Sequence, residues 1–216
     1  MSRFAAILFD LDGVLADSAT AHFAGWKRLA DELGIPFTEQ DNEALKGVDR
    51  MGSLRHILAL GGRTASDADI AAMATRKNAY YLEAVARMSP ADLLPGARAL
   101  IDLAKRRGLS CGVASASRNA PLVLDRLGIA GLFDVVADAG AVAQPKPAPD
   151  IFLACAQALQ IDPVRCIGVE DAAAGVTAIK AAGMYAIGVG DPEVLGEADI
   201  VYPATAAIDL DAALAA

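Results

Sequence analysis

The sequence predicts a doubly wound α/β domain with a parallel sheet, and a small α-helical domain inserted after its first strand. Two observations lead to this prediction. Short apolar runs alternate with segments of helical spacing over most of the 216 residues, which is the pattern of successive βαβ units. Between about Ser18 and Ser89, in contrast, only helical spacing is found. A block of helices therefore separates the first predicted strand from the second.

Six nearly continuous apolar runs are predicted to be strands, because a parallel strand is buried on both of its faces. They cover residues 4–9, 110–114, 135–137, 166–169, 186–189 and 200–201. Apolar residues at helical spacing predict the helices between these strands. The predicted helix faces contain Leu100, Leu103 and Ala104; Leu122, Leu124 and Leu127; Ile151, Leu153, Ala154 and Ala158; and Val176, Ile179 and Lys180.

The inserted segment carries two helical patterns of its own. One stripe contains Phe23, Trp26, Ala30 and Leu33, and a second helix is expected to begin at Ser66, where Asp69 completes a capping-box spacing. That second helix carries Ile70, Met73, Lys77, Tyr80 and Tyr81. Joints are expected near residues 16–18 and 89–95. The sequence thus predicts a core domain of residues 1–16 and 93–216, and a helical cap domain of residues 17–92.

Composition narrows the classes of function. The chain is 55% hydrophobic and carries a formal net charge of −8, so we expect no nucleic-acid partner, which would require clustered Lys and Arg. No apolar stretch reaches the length of a membrane span, and no charged leader precedes a cleavable apolar run. Three cysteines in apolar contexts are expected to be reduced, buried thiols. We expect a cytoplasmic monomer.

Two pairs of acidic residues follow predicted strands. Asp10 and Asp12 come directly after the first strand, and Glu170 and Asp171 end the run at 166–169. In open α/β sheets, ligands bind beyond the carboxyl ends of the strands. Carboxylates gathered there repel one another unless a cation intervenes, so Mg²⁺ is the expected partner. Taken singly, the first pair could equally be solvated residues of a turn, and Asp171 could be a dipole-stabilising residue at a helix start.

Two further segments carry polar groups to the same expected edge. Residues 115–119 (Ser-Ala-Ser-Arg-Asn) follow the second strand, where hydroxyls and backbone N–H groups before a helix can hold a phosphate. Lys146 lies in a proline-rich loop that could fix a cation in place. A plain N-cap and a solvated lysine are the alternatives. Together, the four segments supply a nucleophile, an acid/base, a hydroxyl, a cation and a metal-binding pair, which is the set that phosphoryl transfer needs.

These four segments resemble the motifs of the haloacid dehalogenase superfamily. The superfamily pattern is met at Asp10, Asp12, Ser115, Lys146 and the pair Glu170-Asp171. The resemblance implies catalytic roles for Asp10, Asp12, Ser115 and Lys146. It also implies that Mg²⁺ is bound by Asp10, Asp12 through its backbone carbonyl, Asp171 and Glu170, and that the helical insertion is a cap.

The insertion also resembles that of sugar phosphomutases in this superfamily. The resemblance implies interconversion of β-D-glucose 1-phosphate and D-glucose 6-phosphate, with β-glucose 1,6-bisphosphate as activator and intermediate. Each cap residue taken alone could be a core or solvated residue. The substrate-binding residues implied by the resemblance are His22, Trp26, Gly47, Val48, Arg50, Ser53, Lys77, Ala116, Ser117, Arg118 and Asn119.

Two residues depart from the expected pattern. Arg118 stands where a lysine is expected, and Pro145 stands where a small polar residue is expected before a Lys146-Pro147 bond that is cis in this family. Three rival functions were weighed. A sugar-phosphate phosphatase would use the same Asp10 chemistry, a receiver-type signalling domain would lack the helical insertion, and an inactive binding protein would lack one of the core residues.

Overall fold

The sheet of this protein is entirely parallel. A computed structural model describes residues 3–215 of the chain. Its strands are β1 (Ala6–Phe9), β2 (Ser110–Val113), β3 (Val135–Val136), β4 (Cys166–Glu170), β5 (Tyr185–Val189) and β6 (Ile200–Tyr202). They lie in the order β3-β2-β1-β4-β5-β6. The chain thus builds the sheet first to one side of β1 and then to the other, which confirms the predicted doubly wound fold.

Helices fill the connections between these strands. They are α1 (Ala19–Glu32), α2 (Glu39–Glu43), α3 (Arg50–Leu60), α4 (Asp67–Val85), α5 (Ala97–Arg106), α6 (Ala120–Arg126), α7 (Asp150–Leu159), α8 (Ala173–Ala181) and α9 (Leu210–Ala215). The first four all lie between β1 and β2, as the helical spacing of that stretch predicted. We call α1–α4 the helical insertion.

The register of the central strands brings their carboxyl ends level. Phe9 of β1 is paired with Val113 of β2 on one side and with Val169 of β4 on the other. The residues that follow these three, Asp10, Ala114 and Glu170, therefore lie at the same height along the sheet. The Asp10 N–H donates to the carbonyl of Val169 over 2.9 Å, which holds Asp10 at this edge.

Both faces of the sheet are covered by apolar clusters. Ile7 and Phe9 of β1 pack into one cluster and Ala6 and Leu8 into the other. Strand β1 therefore has no solvated face, which explains why its sequence is apolar without alternation. A side chain of this size contributes about 1.5–3 kcal/mol when it is fully buried, so β1 is a rigid base for the residues that follow it.

The helical insertion has a hydrophobic cluster of its own, which includes Trp26, Leu54, Ile57 and Ile70. The two segments that connect it to the rest of the chain run side by side. The Leu94 N–H donates to the Leu15 carbonyl over 3.0 Å, and the Asp17 N–H to the Asp92 carbonyl over 3.3 Å. The division at residues 17–92 stays a prediction. A separate cluster and two adjacent connections are what a hinged domain would need.

The structure differs from the sequence predictions in a few details. Strand β1 begins two residues later than predicted, and β3 is reduced to two residues. Leu122 and Leu153 were predicted to face the core but are 39% and 37% exposed, and Lys180 is also exposed. Helix α6 instead buries Val123 and Leu124, because one residue along a helix turns the side chain by about 100°.

Cys111, Cys155 and Cys166 are all buried free thiols, as predicted. Within residues 3–215, no helix combines the length and the apolar character that crossing a bilayer requires.

Candidate active site

A buried lysine joins two carboxylates at the carboxyl edge of the sheet. Lys146 Nζ lies 2.7 Å from Asp10 Oδ1 and 2.7 Å from Glu170 Oε2, and all three residues are buried. Burial by itself lowers the pKa of Lys146, but the negative charges of Asp10 and Glu170 raise it above its usual value. Lys146 is therefore a fixed positive charge beside Asp10. Its peptide bond to Pro147 is cis, as the resemblance implied.

Three carboxylates are close enough to share one cation. Side-chain oxygens of Asp10, Glu170 and Asp171 all lie within 4.8 Å of one another. Burial raises the pKa of Asp10 to about 6 and those of Glu170 and Asp171 to about 7. Repulsion from neighbouring carboxylates adds to this rise, and the positive charge of Lys146 opposes it. Oxygen ligands with excess negative charge suit Mg²⁺, so the residues present fit this ion.

The side chain of Asp12 is not part of this set. It points to the helical insertion, where it accepts a hydrogen bond from the Ser18 hydroxyl. The sequence analysis assigned Asp12 to the metal through its backbone carbonyl, and that assignment stays a prediction. The turn of the chain after β1 therefore separates two carboxylates, with Asp10 among the metal-ligand candidates and Asp12 facing the insertion.

Two glycines make this packing of carboxylates feasible. A Cβ on Gly13 would lie 2.1 Å from Asp171 Oδ2, and Gly13 also has a φ of +80°. A Cβ on Gly175 would lie 2.0 Å from Glu170 Oε2. Side chains at either position would occupy the space of a carboxylate oxygen. The contact of either glycine with a carboxylate could not be predicted from the sequence. The single signal for Gly175 is its place at the start of a helix after an acidic pair.

The loop after β2 is held together by its own hydroxyls. Ser115 Oγ accepts a hydrogen bond from the Ser117 N–H over 3.1 Å, and Ser117 Oγ accepts one from the Asn119 N–H over 3.2 Å. Ser115 is buried beside the acidic cluster, whereas Arg118 is exposed. These bonds fix the loop between β2 and α6 in a tight turn whose residues can contact an anion.

A cavity of about 360 Å³ lies between this edge of the sheet and the helical insertion. Asp10 and Asp171 line one end of it. Ten of the eleven predicted substrate-binding residues also line it, namely His22, Trp26, Gly47, Val48, Arg50, Ser53, Lys77, Ala116, Ser117 and Arg118. The cavity therefore brings together residues from helices and loops that are far apart in the sequence.

Asn119 is the exception among the predicted substrate-binding residues. It is absent from the cavity lining, and its side-chain amide donates to Asn78 Oδ1 over 2.8 Å. Ser115, Lys146 and Glu170 also lie outside the lining, because they are buried behind Asp10. Direct contact between Asn119 and a ligand would therefore require a change of its position or of the cavity.

Several lining residues were missed by the sequence analysis. Lys46 lines the cavity, and its positive charge opposes the rise in the pKa of Asp171. Asn42 and Thr75 also contribute to the lining. Lys46 lies in the segment 45–50 that contributes to the resemblance of the insertion, where a solvated charge was the alternative. No pattern in the sequence singles out Asn42 or Thr75, because which face of a helix meets the cavity depends on how that helix packs.

Arg50 and Arg118 reach the cavity from two different parts of the chain. Arg50 begins α3 of the insertion, whereas Arg118 belongs to the loop after β2. Burial and the positive charge of Arg118 lower the pKa of Arg50. Two like charges that face one cavity repel each other, and an anion between them would relieve the repulsion.

His22 lies between Lys77 and Asp12. His22 Nδ1 lies 2.9 Å from Lys77 Nζ, and His22 Nε2 lies 3.8 Å from Asp12 Oδ1. Burial, followed by the Lys77 charge, lowers the pKa of His22 to about 4, so this imidazole is neutral near pH 7. If Nδ1 accepts from Lys77 Nζ, the ring proton is on Nε2, which faces Asp12 without a hydrogen bond to it.

Lys77 is itself almost fully buried among aromatic rings. Its Nζ lies 4.4 Å from the ring centroid of Trp26 and 5.0 Å from that of Tyr81. Burial and the charge of Arg50 lower the pKa of Lys77 to about 7. A chain of contacts thus runs from Lys77 through His22 towards Asp12.

Comparison with known proteins places this geometry among related enzymes. A family model described as haloacid dehalogenase-like hydrolase matches residues 4–183. The chain is 42% identical over 208 residues to beta-phosphoglucomutase of Bacillus subtilis (strain 168). The aligned residues cover 95% of this chain and 92% of that protein. It is 35% identical over 193 residues to fructose-1-phosphate phosphatase of Escherichia coli (strain K12), covering 87% and 97% respectively.

A solved structure is similar over nearly the whole molecule. The crystal structure of beta-phosphoglucomutase from Clostridium difficile superposes with a TM-score of 0.95 at 40% sequence identity. The match covers 97% of this chain and 95% of that one. The similarity thus includes both the sheet and the helical insertion.

Proposed function

The chain belongs to the haloacid dehalogenase-like hydrolase family. Within this family, we propose that it is a β-phosphoglucomutase, an isomerase that interconverts β-D-glucose 1-phosphate and D-glucose 6-phosphate. The observation that carries the proposal is the 42% identity to the Bacillus subtilis enzyme over 95% of the chain. The cavity is consistent with it. Asp10 lines the cavity, and so do Arg50 and Arg118. A sugar with two phosphates could therefore place one phosphate at Asp10 and the other at the arginines.

Asp10 is the proposed nucleophile. Its carboxylate attacks the phosphorus of the sugar phosphate, the bond from phosphorus to the sugar oxygen breaks, and an aspartyl phosphate forms. Lys146 Nζ, 2.7 Å from Asp10 Oδ1, orients the carboxylate and offsets negative charge that the phosphoryl group brings. The hydroxyl of Ser115 and the neighbouring backbone N–H groups bind the phosphoryl oxygens.

Magnesium is the cofactor that the family and the acidic cluster support. Asp10, Glu170 and Asp171 would hold it, together with the backbone carbonyl of Asp12. When bound, the ion neutralises charge on the transferring phosphoryl group. Three carboxylates lie within 4.8 Å of one another, and the one lysine bonded to Asp10 and Glu170 cannot balance all of their negative charge, which favours a divalent cation.

Asp12 is the proposed general acid and base. It gives a proton to the sugar oxygen that leaves, and later takes a proton from the hydroxyl that attacks the aspartyl phosphate. In the structure its carboxylate accepts from Ser18 and faces His22. Lys77 and His22 position Asp12 from the insertion side, so proton transfer depends on where the insertion sits.

A mutase must hold its bisphosphate while the sugar turns round and must keep water from the aspartyl phosphate. We assign the non-reacting phosphate to Arg50 from the insertion and to Ser117, Arg118 and Asn119 from the core loop. An arginine can grip a phosphate through two parallel hydrogen bonds. The activating bisphosphate is accordingly β-glucose 1,6-bisphosphate, which carries one phosphate for each end of the cavity.

One assay distinguishes the mutase from a phosphatase. The enzyme is given β-glucose 1-phosphate, Mg²⁺ and a trace of glucose 1,6-bisphosphate, and both glucose 6-phosphate and inorganic phosphate are followed. We expect glucose 6-phosphate to be the main product. If inorganic phosphate dominates, water is the acceptor and the protein is a sugar-phosphate phosphatase, as is the Escherichia coli relative by its name.

The substitution Asp10→Asn tests the nucleophile. The amide is too weak a nucleophile to accept the phosphoryl group, so turnover should fall by at least about 10⁴-fold, the scale seen when other enzymes lose a nucleophile. Thermal unfolding should show a folded protein. An Asp10→Asn variant that still turns over would reject the mechanism for mutase and phosphatase alike.

Two predictions made from the sequence concern the protein as a whole. The monomeric state and the cytoplasmic location stay predictions. A sugar phosphate as the small-molecule partner follows from the proposed function.

A further inference from the structure

One hydrogen bond ties the long helix of the insertion to the loop of the core that precedes α6. Asn119 Nδ2 donates to Asn78 Oδ1 over 2.8 Å, and both residues are half-buried. In the part of the chain that the structure describes, no other side chain of α2–α4 makes a hydrogen bond to a core side chain. The contacts of Ser18 and His22 with Asp12 come from the start of α1.

The bond fixes the orientation of the Asn119 amide. A primary amide has two N–H groups, and one of them is used on Asn78. The backbone of the same residue is already fixed, because its N–H donates to Ser117 Oγ over 3.2 Å. The core loop therefore sets where Asn119 is, and helix α4 sets which way its remaining N–H points.

The hydrogen bond between Asn78 and Asn119 joins the insertion to the core without involving a charged group. Arg50 of the insertion and Arg118 of the core carry like charges to the same cavity, and Arg118 lowers the pKa of Arg50. Their repulsion opposes approach of the insertion to the core before an anion is bound. A bond between two amides has no such dependence on the anion, because neither partner is charged.

We propose that Asn78 is a positioning residue, which holds the amide of Asn119 and so aligns helix α4 with the phosphate site on the core loop. It does not touch the reacting atoms. Its effect is on the binding of the non-reacting phosphate and on how well the insertion shields the aspartyl phosphate from water. This inference rests on the proposed function, since it gives a role to a neighbour of the distal site.

The test is a double-mutant cycle with Asn78→Ala, Asn119→Ala and the double variant. Binding of glucose 6-phosphate is measured through the fluorescence of Trp26, which is the only tryptophan of the sequence and lines the cavity. Loss of one neutral hydrogen bond should weaken binding by about three- to tenfold in Asn78→Ala. The share of turnovers that release inorganic phosphate should rise. The double variant should bind no more weakly than Asn119→Ala alone.

Two controls distinguish the loss of this hydrogen bond from a general loss of stability in helix α4. Alanine is a better helix former than asparagine, so the melting temperature of Asn78→Ala should be unchanged. Glu83→Ala, on the exposed side of the same helix, should bind glucose 6-phosphate as the wild type does.

Two results would overturn the proposal: unaltered binding and phosphate release in Asn78→Ala, or losses that simply add in the double variant. The titration is repeated with inorganic phosphate as the probe, and it measures anion binding without turnover. A wild-type enzyme that forms no glucose 6-phosphate would therefore reject the proposed function while the test of Asn78 still gives an answer.

Discussion

Single residues in the acidic cluster are constrained by packing as much as by charge. Glu170 and Asp171 lie directly against backbone, at Gly175 and Gly13 respectively. Each carboxylate needs the space that a Cβ would take. The proposed metal ligands are thus positioned by residues that carry no functional group themselves.

Gly175→Ala tests this constraint. The new Cβ would lie 2.0 Å from Glu170 Oε2, so Glu170 must move away from Lys146 and the other carboxylates. We expect Mg²⁺ affinity to fall by about 10- to 100-fold, the usual effect of disturbing the support of a metal site, and stability to fall by about 1–3 kcal/mol. Isothermal titration with Mg²⁺ and urea unfolding measure the two effects.

The matched control is Gly131→Ala, at an exposed glycine where a Cβ would meet nothing within 4 Å. That variant should keep both the affinity and the stability of the wild type. Equal Mg²⁺ affinities for the two alanine variants would show that Glu170 tolerates a side chain at position 175.

Lys77 gives the stability of the protein a distinctive dependence on pH. Burial and Arg50 lower its pKa in the folded state to about 7, whereas an unfolded lysine titrates near 10.4. Between these values the unfolded state binds more protons than the folded state, so Lys77 makes stability rise with pH. Below about pH 7 the penalty for burying the charge is fully present.

The variant Lys77→Met removes this titration and keeps an unbranched side chain of similar length. Unfolding by urea between pH 6.5 and 9 should show the wild type gaining stability relative to Lys77→Met, by at most about 1.4 kcal/mol per pH unit. Parallel stability curves over this range would contradict the lowered pKa of Lys77.

The helices of the insertion determine where its side chains lie relative to the cavity. Helix α3 begins at Arg50, and its N-cap is Asp49, whose carboxylate accepts from the Gly52 N–H over 2.6 Å. The capping bond fixes the first turn of α3 and with it the base of the Arg50 side chain. A change at this cap should therefore affect both helix stability and anion binding.

Asp49→Ala and Asp49→Asn separate the cap from the charge. Both remove the carboxylate charge, but asparagine keeps a capping oxygen. We expect Asp49→Ala to lose about 1 kcal/mol of stability and to bind glucose 6-phosphate more weakly than Asp49→Asn does. Thermal unfolding and the Trp26 titration measure these effects.

The N-cap of helix α4 offers a control, because neither Ser66 nor Asp69 lines the cavity. Its N-cap Ser66 accepts from the Asp69 N–H over 3.2 Å, so Ser66→Ala should cost similar stability without changing glucose 6-phosphate binding. If Asp49→Ala and Asp49→Asn bind equally, the cap of α3 does not orient Arg50.

At the scale of the whole molecule, the site exists only because two parts of the chain meet. The core brings Asp10 and residues 116–118 to the cavity, and the insertion brings Arg50, His22 and Lys77 to the same cavity. Water is excluded only when both sides are close. Residues of the insertion should therefore control how phosphoryl transfer divides between sugar and water.

Arg50→Ala tests that division. The variant would lack the proposed hydrogen bonds from the guanidinium to the non-reacting phosphate, so mutase turnover should fall by more than any phosphatase turnover. A charged hydrogen bond contributes about 1.5–3 kcal/mol, so the expected fall in mutase turnover is about tenfold or more. The products are measured in the same assay of glucose 6-phosphate and inorganic phosphate.

Arg55→Ala is the matched control for this prediction, because Arg55 lies exposed on the same helix. It should keep the wild-type ratio of the two products. Equal losses of mutase and phosphatase activity in Arg50→Ala would count against a role in binding the distal phosphate.

Much of the core could be predicted because its signals are local. A strand buried on both faces reads as an apolar run, and Asp10 and Glu170 stand directly at the ends of such runs. The buried faces of the helices were harder to predict than the strands. Leu122 and Leu153 are exposed because a difference of one residue rotates a helical side chain away from the core.

The sequence by itself determined the order of strands and helices, the edge at which the four motifs gather and the type of chemistry there, because a parallel sheet brings the ends of its strands together. Tertiary structure alone decided which side chains meet across the two parts of the chain. It turned Asp12 to Ser18 and His22, bonded Asn119 to Asn78 and placed the carboxylates against Gly13 and Gly175. Such contacts join residues far apart in sequence, and they depend on how the insertion packs against the sheet, which no local pattern records.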